Sequence, residues 1–163
     1  MDQEDKSVAI PLILVVLVGI VFQAIFIGID RKDTPNKAVI EFAKAYYQLD
    51  PSMSERLCDE MKVVDDVDMV DQHIFQVTQE GKNRGFEKNF MRSKLYHIDT
   101  YTQSKSDTQA QIRLTGKRRA YLNSVYKIIA QIFCLGTTHE VDKTFKVIKE
   151  DGKWKVCTDL VSI

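Results

Sequence analysis

The stretch Val8–Ile29, VAIPLILVVLVGIVFQAIFIGI, constrains this chain more than any other. It is 22 residues long and uncharged, and Gln23 is its only strongly polar side chain. As an α-helix rising about 1.5 Å per residue it would reach roughly 33 Å, enough to cross a hydrocarbon core of about 30 Å. A secretory signal peptide needs a basic start, a shorter apolar run and a small-residue cleavage site. Here the start, MDQEDK, is acidic on balance, and FIGIDRK offers no A-x-A-like exit. The expectation is a retained single-pass transmembrane helix over 8–29. A polar tail at 1–7 precedes it; a linker at 30–34 and one globular domain at 35–163 follow. Pro11 falls in the first turn, where a missing N–H does no harm. Gly19 and Gly28 permit close helix contact, and Gln23 offers a hydrogen bond to a partner helix.

Which side of the bilayer the domain takes is argued two ways. Arg31, Lys32, Lys37 and Lys44 follow the run and only Lys6 and the amino terminus precede it, so positive charge alone points to the cytoplasm. Small bacterial proteins with one N-terminal anchor more often expose the following domain outside, and Lys37 and Lys44 fall within a folded helix rather than a flank. We expect an extracytoplasmic domain. Residues 30–163 suffice for one domain with a real core. They hold 22 basic and 20 acidic side chains, a balance that argues against a nucleic-acid partner. Cys58, Cys134 and Cys157 form no CxxC or CxxCH, which removes the simplest zinc, thioredoxin-type and haem readings. They read as three small buried hydrophobes. One disulfide with a leftover thiol is the alternative in an oxidising compartment.

The first half of the domain has helical period. Thr34-Pro35 reads as N-cap and N1, with Ala38, Phe42, Ala45, Tyr46 and Leu49 on one face. Asp50-Pro51 closes that helix and opens a second, where Ser52 and Glu55 have capping-box spacing ahead of Leu57, Cys58 and Met61. A third runs from about Asp66 to Glu80, with Val70, Ile74 and Val77 inward and Gly81 as its stop. The second half changes period. Ser93–Gln103 reads as a strand, Ser104–Asp107 as a turn, and Ala110, Ile112 and Leu114 alternate with polar neighbours. Asp151-Gly152 predicts a hairpin that sets Phe145 and Val147 on one face with Trp154 and Val156. Between these strands, Ala120–Gly136 has helical spacing and is expected to be a helix, with one long bent strand as the alternative. The fold class is thus α+β: a transmembrane helix, then about three helices packed on a curved antiparallel sheet.

A helix like AVIEFAKAYYQLD at the start and FKVIKEDGKWKVCTDL at the end resemble the nuclear transport factor two-like superfamily, over roughly Pro35–Leu160. The resemblance implies a small cone with an open pocket, into which Trp154 packs. Members include enzymes and non-catalytic binding or assembly modules, so fold does not select between them. Ala120–Gly136 departs from the family's usual short strand connection.

Chemistry-bearing residues are sparse. His73 lies near Asp71, and His97 lies two residues before Asp99; a His–Asp pair converging inside the cone would suit a general base, and the alternative is that His97 and Asp99 share a strand face by alternation and are both solvated. Cys134 and His139 supply two of the four ligands a structural zinc needs, and no second pair is apparent. The acidic run DEMKVVDDVDMVD lacks EF-hand spacing and reads as a solvated helix start. We expect no metal, no cofactor and no catalytic set. The first reading is a membrane-anchored, non-catalytic binding or assembly subunit, an accessory component of a membrane protein complex. Its partners would be the lipid bilayer and another membrane protein, with a homo-oligomer also compatible. The contact residues would be Gln23, Ile128, Ile129, Ile132 and Phe133, beside the basic Lys117, Arg118 and Arg119. The alternative is a tethered small-molecule-binding or enzymatic domain with a pocket of His73, His97 and Asp99.

Overall fold

The computed structural model describes residues 13–23, 32–86, 91–120 and 138–160. The chain separates into two units, Met1–Asp33 and Thr34–Ile163. In the first, residues 13–23 are helical and every side chain is exposed. This corrects the expected membrane anchor. Among the described residues no helix is long and apolar enough to cross a membrane. Eleven residues at about 1.5 Å each reach roughly half a hydrocarbon core. Residues 8–12 and 24–29 lie outside the described residues. The single-pass assignment falls, and with it the membrane location and the side of the bilayer argued from it.

The second unit opens with α1, Pro35–Gln48. Thr34 caps it, its hydroxyl accepting from the Lys37 N–H, and Pro35 stands where its missing N–H is harmless. The buried face centres on Ala38, Val39, Phe42, Ala43 and Tyr47, while Ala45 and Tyr46 are only partly buried. α1 ends on Leu49 at φ 52, a left-handed position without glycine. Burial of the Leu49 side chain offsets a conformational cost of about 1–2 kcal/mol.

The expected second helix is broken into two pieces. Asp50, rather than a Ser52–Glu55 box, caps a 3-10 turn over Pro51–Arg56 by accepting from the Ser52 N–H. Leu57 and Cys58 are extended and fully buried, and α2 is only Asp59–Lys62. A small antiparallel hairpin follows, β1 (Val63–Val64) with β2 (Val67–Asp68). α3 spans Met69–Asn83, and Asp68 caps it by accepting from the Val70 and Asp71 N–H groups. Gly81 is not its stop. It lies buried inside the helix, and a Cβ there would sit 2.6 Å from Met91 Cγ; close approach, not termination, explains the glycine.

The sheet is antiparallel in the order β3-β4-β5-β6: Ser93–Lys105, Gln109–Ala120, Thr138–Glu150 and Lys153–Val156. Asp151 and Gly152 both take positive φ, the geometry of a two-residue hairpin turn that matches strand twist. Ala110, Ile112, Leu114, Val141, Phe145, Val147, Trp154 and Val156 face α1 in one core. Residues 121–137, which hold most of the expected Ala120–Gly136 helix, lie outside the described residues. Their flanks are β4 and β5, paired directly from Arg119 opposite Thr138.

Two long-range ties close the β6 side. Leu57 bridges Val156, and the Cys58 N–H donates to the Val156 carbonyl at 2.9 Å. A disulfide joins Cys58 to Cys157 across 99 residues of sequence, which corrects the reading of both as free buried thiols. Cys134 lies outside the described residues. Close by, Lys155 pairs with Glu150 at 2.9 Å and with Asp59 at 3.0 Å, and the Glu150 hydrogen bond foremost holds the ammonium above the usual lysine range.

Candidate functional site

A cluster of aromatic and basic side chains lies at the C-terminal end of α1. Helical spacing puts Phe42 and Tyr46 one turn apart, and α3 brings His73 against Tyr46. The His73 imidazole stacks on the Tyr46 ring with centroids 4.5 Å apart and planes inclined by 22°. Tyr47 meets Tyr46 edge-on at 5.3 Å, and the Arg118 guanidinium stands over the Tyr47 ring at 5.6 Å. The Tyr46 hydroxyl donates to the Leu160 carbonyl at 3.1 Å. Burial, helped by Tyr47 and Asp159, pushes the Tyr46 phenol up to about 12, and burial also raises Tyr47 against the opposing pull of Arg118. Both phenols therefore stay neutral near pH 7. The cluster can stack and donate hydrogen bonds; a phenol so far from ionisation is a poor proton-transfer group.

Burial lowers the His73 pKa below the ordinary 6.5. A histidine depressed in the folded state binds fewer protons there than in the unfolded chain. Its stabilising effect is therefore complete above pH 6.5 and is lost as pH falls from there through the lower pKa of the folded state. We expect domain stability to decline on going from pH 7.5 to 5.5, and His73→Gln to flatten that part of the profile. Urea unfolding at both pH values tests this; a slope unchanged in the variant would remove His73 as its source.

The residues of the expected His/Asp pocket are not brought into one acid–base set. His73 takes part in the Tyr46 stack. Among the described residues no hydrogen bond or ion pair links it to His97 or Asp99. His97 is exposed and has φ 48 in a bulge of β3, where His97 and Ile98 together oppose Gly116 between the pairs Tyr96–Lys117 and Asp99–Thr115. Asp99 is exposed as well. The extra residue breaks simple alternation, so the inward series runs Leu95 and then Ile98 instead of Leu95 and 97.

Lys117, Arg118 and Arg119 belong to β4. Pleating splits them. Arg118 opposes buried Leu95 and reaches Tyr47, while Lys117 and Arg119 point to the other face. Gln23 is exposed on the helical residues 13–23, and Ile128, Ile129, Ile132 and Phe133 lie outside the described residues. His139 is exposed on β5, and among the described residues no group of three or more His, Cys, Asp or Glu side chains is placed to hold a metal. A shallow polar depression of about 260 Å³ lies at the β3–β4 turn, lined by Ser104, Lys105, Ser106, Gln109, Gln111 and Lys146 among others, and contains none of the expected pocket residues.

Sequence reasoning missed two features. Tyr47 and Arg118 are far apart in sequence, and nothing in their spacing announces a cation–π contact. The terminal place of β3 in its sheet, with no strand on its outer side among the described residues, was equally invisible, because it follows from strand order. No family model matches the chain, and no curated protein matches it.

Proposed function

We propose that the Thr34–Ile163 unit is a non-catalytic binding or assembly module that offers the outer edge of β3 to an extended segment of a partner protein. One observation carries this reading: β3 is 13 residues long and terminal in the sheet, and among the described residues no strand pairs with its outer side. An edge strand presents a row of unpaired N–H and C=O groups, the template for strand addition. The opposite edge differs, since β6 is covered by the Leu57–Cys58 segment. Asn36 bridges Thr100 and Thr102 at 3.0 and 3.2 Å, so α1 holds β3 in place on its inward side. Tyr101 projects at 56% exposure and supplies apolar area beside the edge. Helices over an antiparallel sheet ending in a Trp-bearing hairpin support the resemblance to the nuclear transport factor two-like superfamily. The disulfide supports work in an oxidising compartment.

The test is a photo-cross-linking amino acid placed at Tyr101, with one at exposed Gln76 as control. A discrete adduct from Tyr101 alone, kept when His73 and His97 are both changed to Gln, is the expected result. Loss of the adduct in that double variant would transfer the function to the histidines, and equal labelling at Gln76 would leave the edge no special role.

A further inference from the structure

The shallow depression at the β3–β4 turn gathers cations and hydrogen-bond donors with no carboxylate among its lining residues. Strand order builds it. Ser104 opposes Gln111, and Gln111 opposes Lys146, so these side chains form one row across β3, β4 and β5. With strands about 4.8 Å apart, the row sets Ser104 and Lys146 roughly 10 Å from each other, with Gln111 between them. Lys105, at the end of β3, adds a second ammonium to the lining. Hydrogen bonds hold the backbone on both sides. The Ser106 hydroxyl accepts from the Gln109 N–H at 3.0 Å and donates to the Gln109 carbonyl at 3.1 Å, which closes the turn. The Lys146 N–H donates to the Thr158 hydroxyl at 3.2 Å, and its carbonyl accepts from the Cys157 N–H at 2.8 Å. Lys105 and Lys146 are exposed, and among the described residues neither forms an ion pair.

We propose that this depression binds a phosphate group, either as the free ion or as the ester of a small polar molecule. Two ammonium groups around one hollow repel each other, and an anion between them replaces that repulsion with attraction. The Ser104 hydroxyl and the carboxamides of Gln109 and Gln111 add neutral donors beside the charged ones. Donors that come from three strands and a turn reach a ligand from several directions. A tetrahedral phosphate presents acceptor oxygens in as many directions, whereas a carboxylate presents two in one plane. At about 260 Å³ the hollow lies just below the range of about 300–1,000 Å³ for whole small-molecule pockets, so it suits one anionic group with a short polar body. The assignment does not rest on β3 as a docking edge, because Lys146 stands on β5, two strands away.

The test follows the side-chain amide NMR signals of Gln109 and Gln111 in the full chain, in a buffer free of phosphate. Inorganic phosphate, glucose 6-phosphate and glucose are titrated separately. Saturable shifts with both phosphates and none with glucose are the expected result. Tighter binding of glucose 6-phosphate then identifies an ester as the ligand, and equal affinity identifies the free ion. Lys105→Gln and Lys146→Gln, each alone, are expected to weaken phosphate binding about tenfold, as loss of a charged hydrogen bond does. Lys82→Gln removes the same charge from an exposed position of α3 and should leave binding unchanged. The near-ultraviolet signal of Trp154 confirms that each variant retains its folded domain. Shifts with glucose as large as those with glucose 6-phosphate overturn the proposal, because hydroxyl groups would then be the ligand. Equal weakening by Lys82→Gln overturns it by reducing the effect to diffuse attraction. Unmoved Gln109 and Gln111 signals with both phosphates overturn it outright.

Discussion

Replacing Cys58 and Cys157 together by alanine, or reducing the disulfide under native conditions, is expected to lower domain stability by about 3–5 kcal/mol. The bond closes a loop with a sequence separation of 99, and cross-linking a chain over that distance removes unfolded-state entropy worth about 4.7 kcal/mol at 25 °C in the loop-closure treatment. The native contacts around the bond give a second reason to expect a large effect. Cys58 is fully buried, its N–H donates to Val156, and the Cys157 N–H donates to Lys146 at 2.8 Å. The bond therefore fastens the segment covering β6 at the place where main-chain hydrogen bonds already hold it. For a domain of this size the loss corresponds to roughly 10–20 °C in the thermal midpoint. Trp154, the only tryptophan of the chain, reports on the same corner of the core. A midpoint that moved by less than about 3 °C with and without reductant would show that the pairing contributes nothing to the folded state.

Phe42→Ala is expected to cost about 3–5 kcal/mol, the range for deleting a buried phenylalanine where neighbours relax only partly. Phe42 is fully buried on α1 and meets Phe145 of β5 edge-to-face, with centroids 6.1 Å apart and planes at 73°. It thus joins the helix layer to the middle of the sheet. Phe145→Ala should cost a similar amount, and the double variant less than the sum, with a coupling of about 0.5–1.5 kcal/mol from the ring pair. Tyr46→Phe is the contrast: it keeps the ring and removes only the hydrogen bond to Leu160, at about 0.5–1.5 kcal/mol. Urea unfolding with the disulfide intact measures all four. Strict additivity of the two Phe→Ala changes would contradict a direct contact, and a Phe42→Ala cost near that of Tyr46→Phe would move the centre of the core elsewhere.

The unevenness of the sequence reading has a physical pattern. Ala110, Ile112 and Leu114 were legible as an inward series because a strand alternates at period two, and they are buried as expected. Alternation also put His97 and Asp99 on one strand face, and both are exposed; what it did not show is the bulge opposite Gly116, which adds one residue and makes Ile98 the next inward position after Leu95. Gly81 was taken for a helix stop because glycine commonly ends helices; its actual reason is Met91, which follows it by ten residues and belongs to another part of the packing. The apolar run at 8–29 satisfied a length criterion for crossing a membrane, and no helix among the described residues satisfies it.

By itself the sequence determined what depends on neighbours along the chain. It set the Thr34-Pro35 start of α1, the Asp151-Gly152 turn, and the inward faces that place Phe145, Val147, Trp154 and Val156 together. Each rests on local dihedral preference or side-chain period, which a few residues specify. Tertiary structure alone decided that Cys58 pairs with Cys157, that Arg118 reaches Tyr47 while its neighbours face away, and that β3 is the terminal strand of its sheet among the described residues. Those outcomes depend on strand order and on contacts between residues tens of positions apart, where many pairings have nearly equal local preference and only the packing of the whole core separates them.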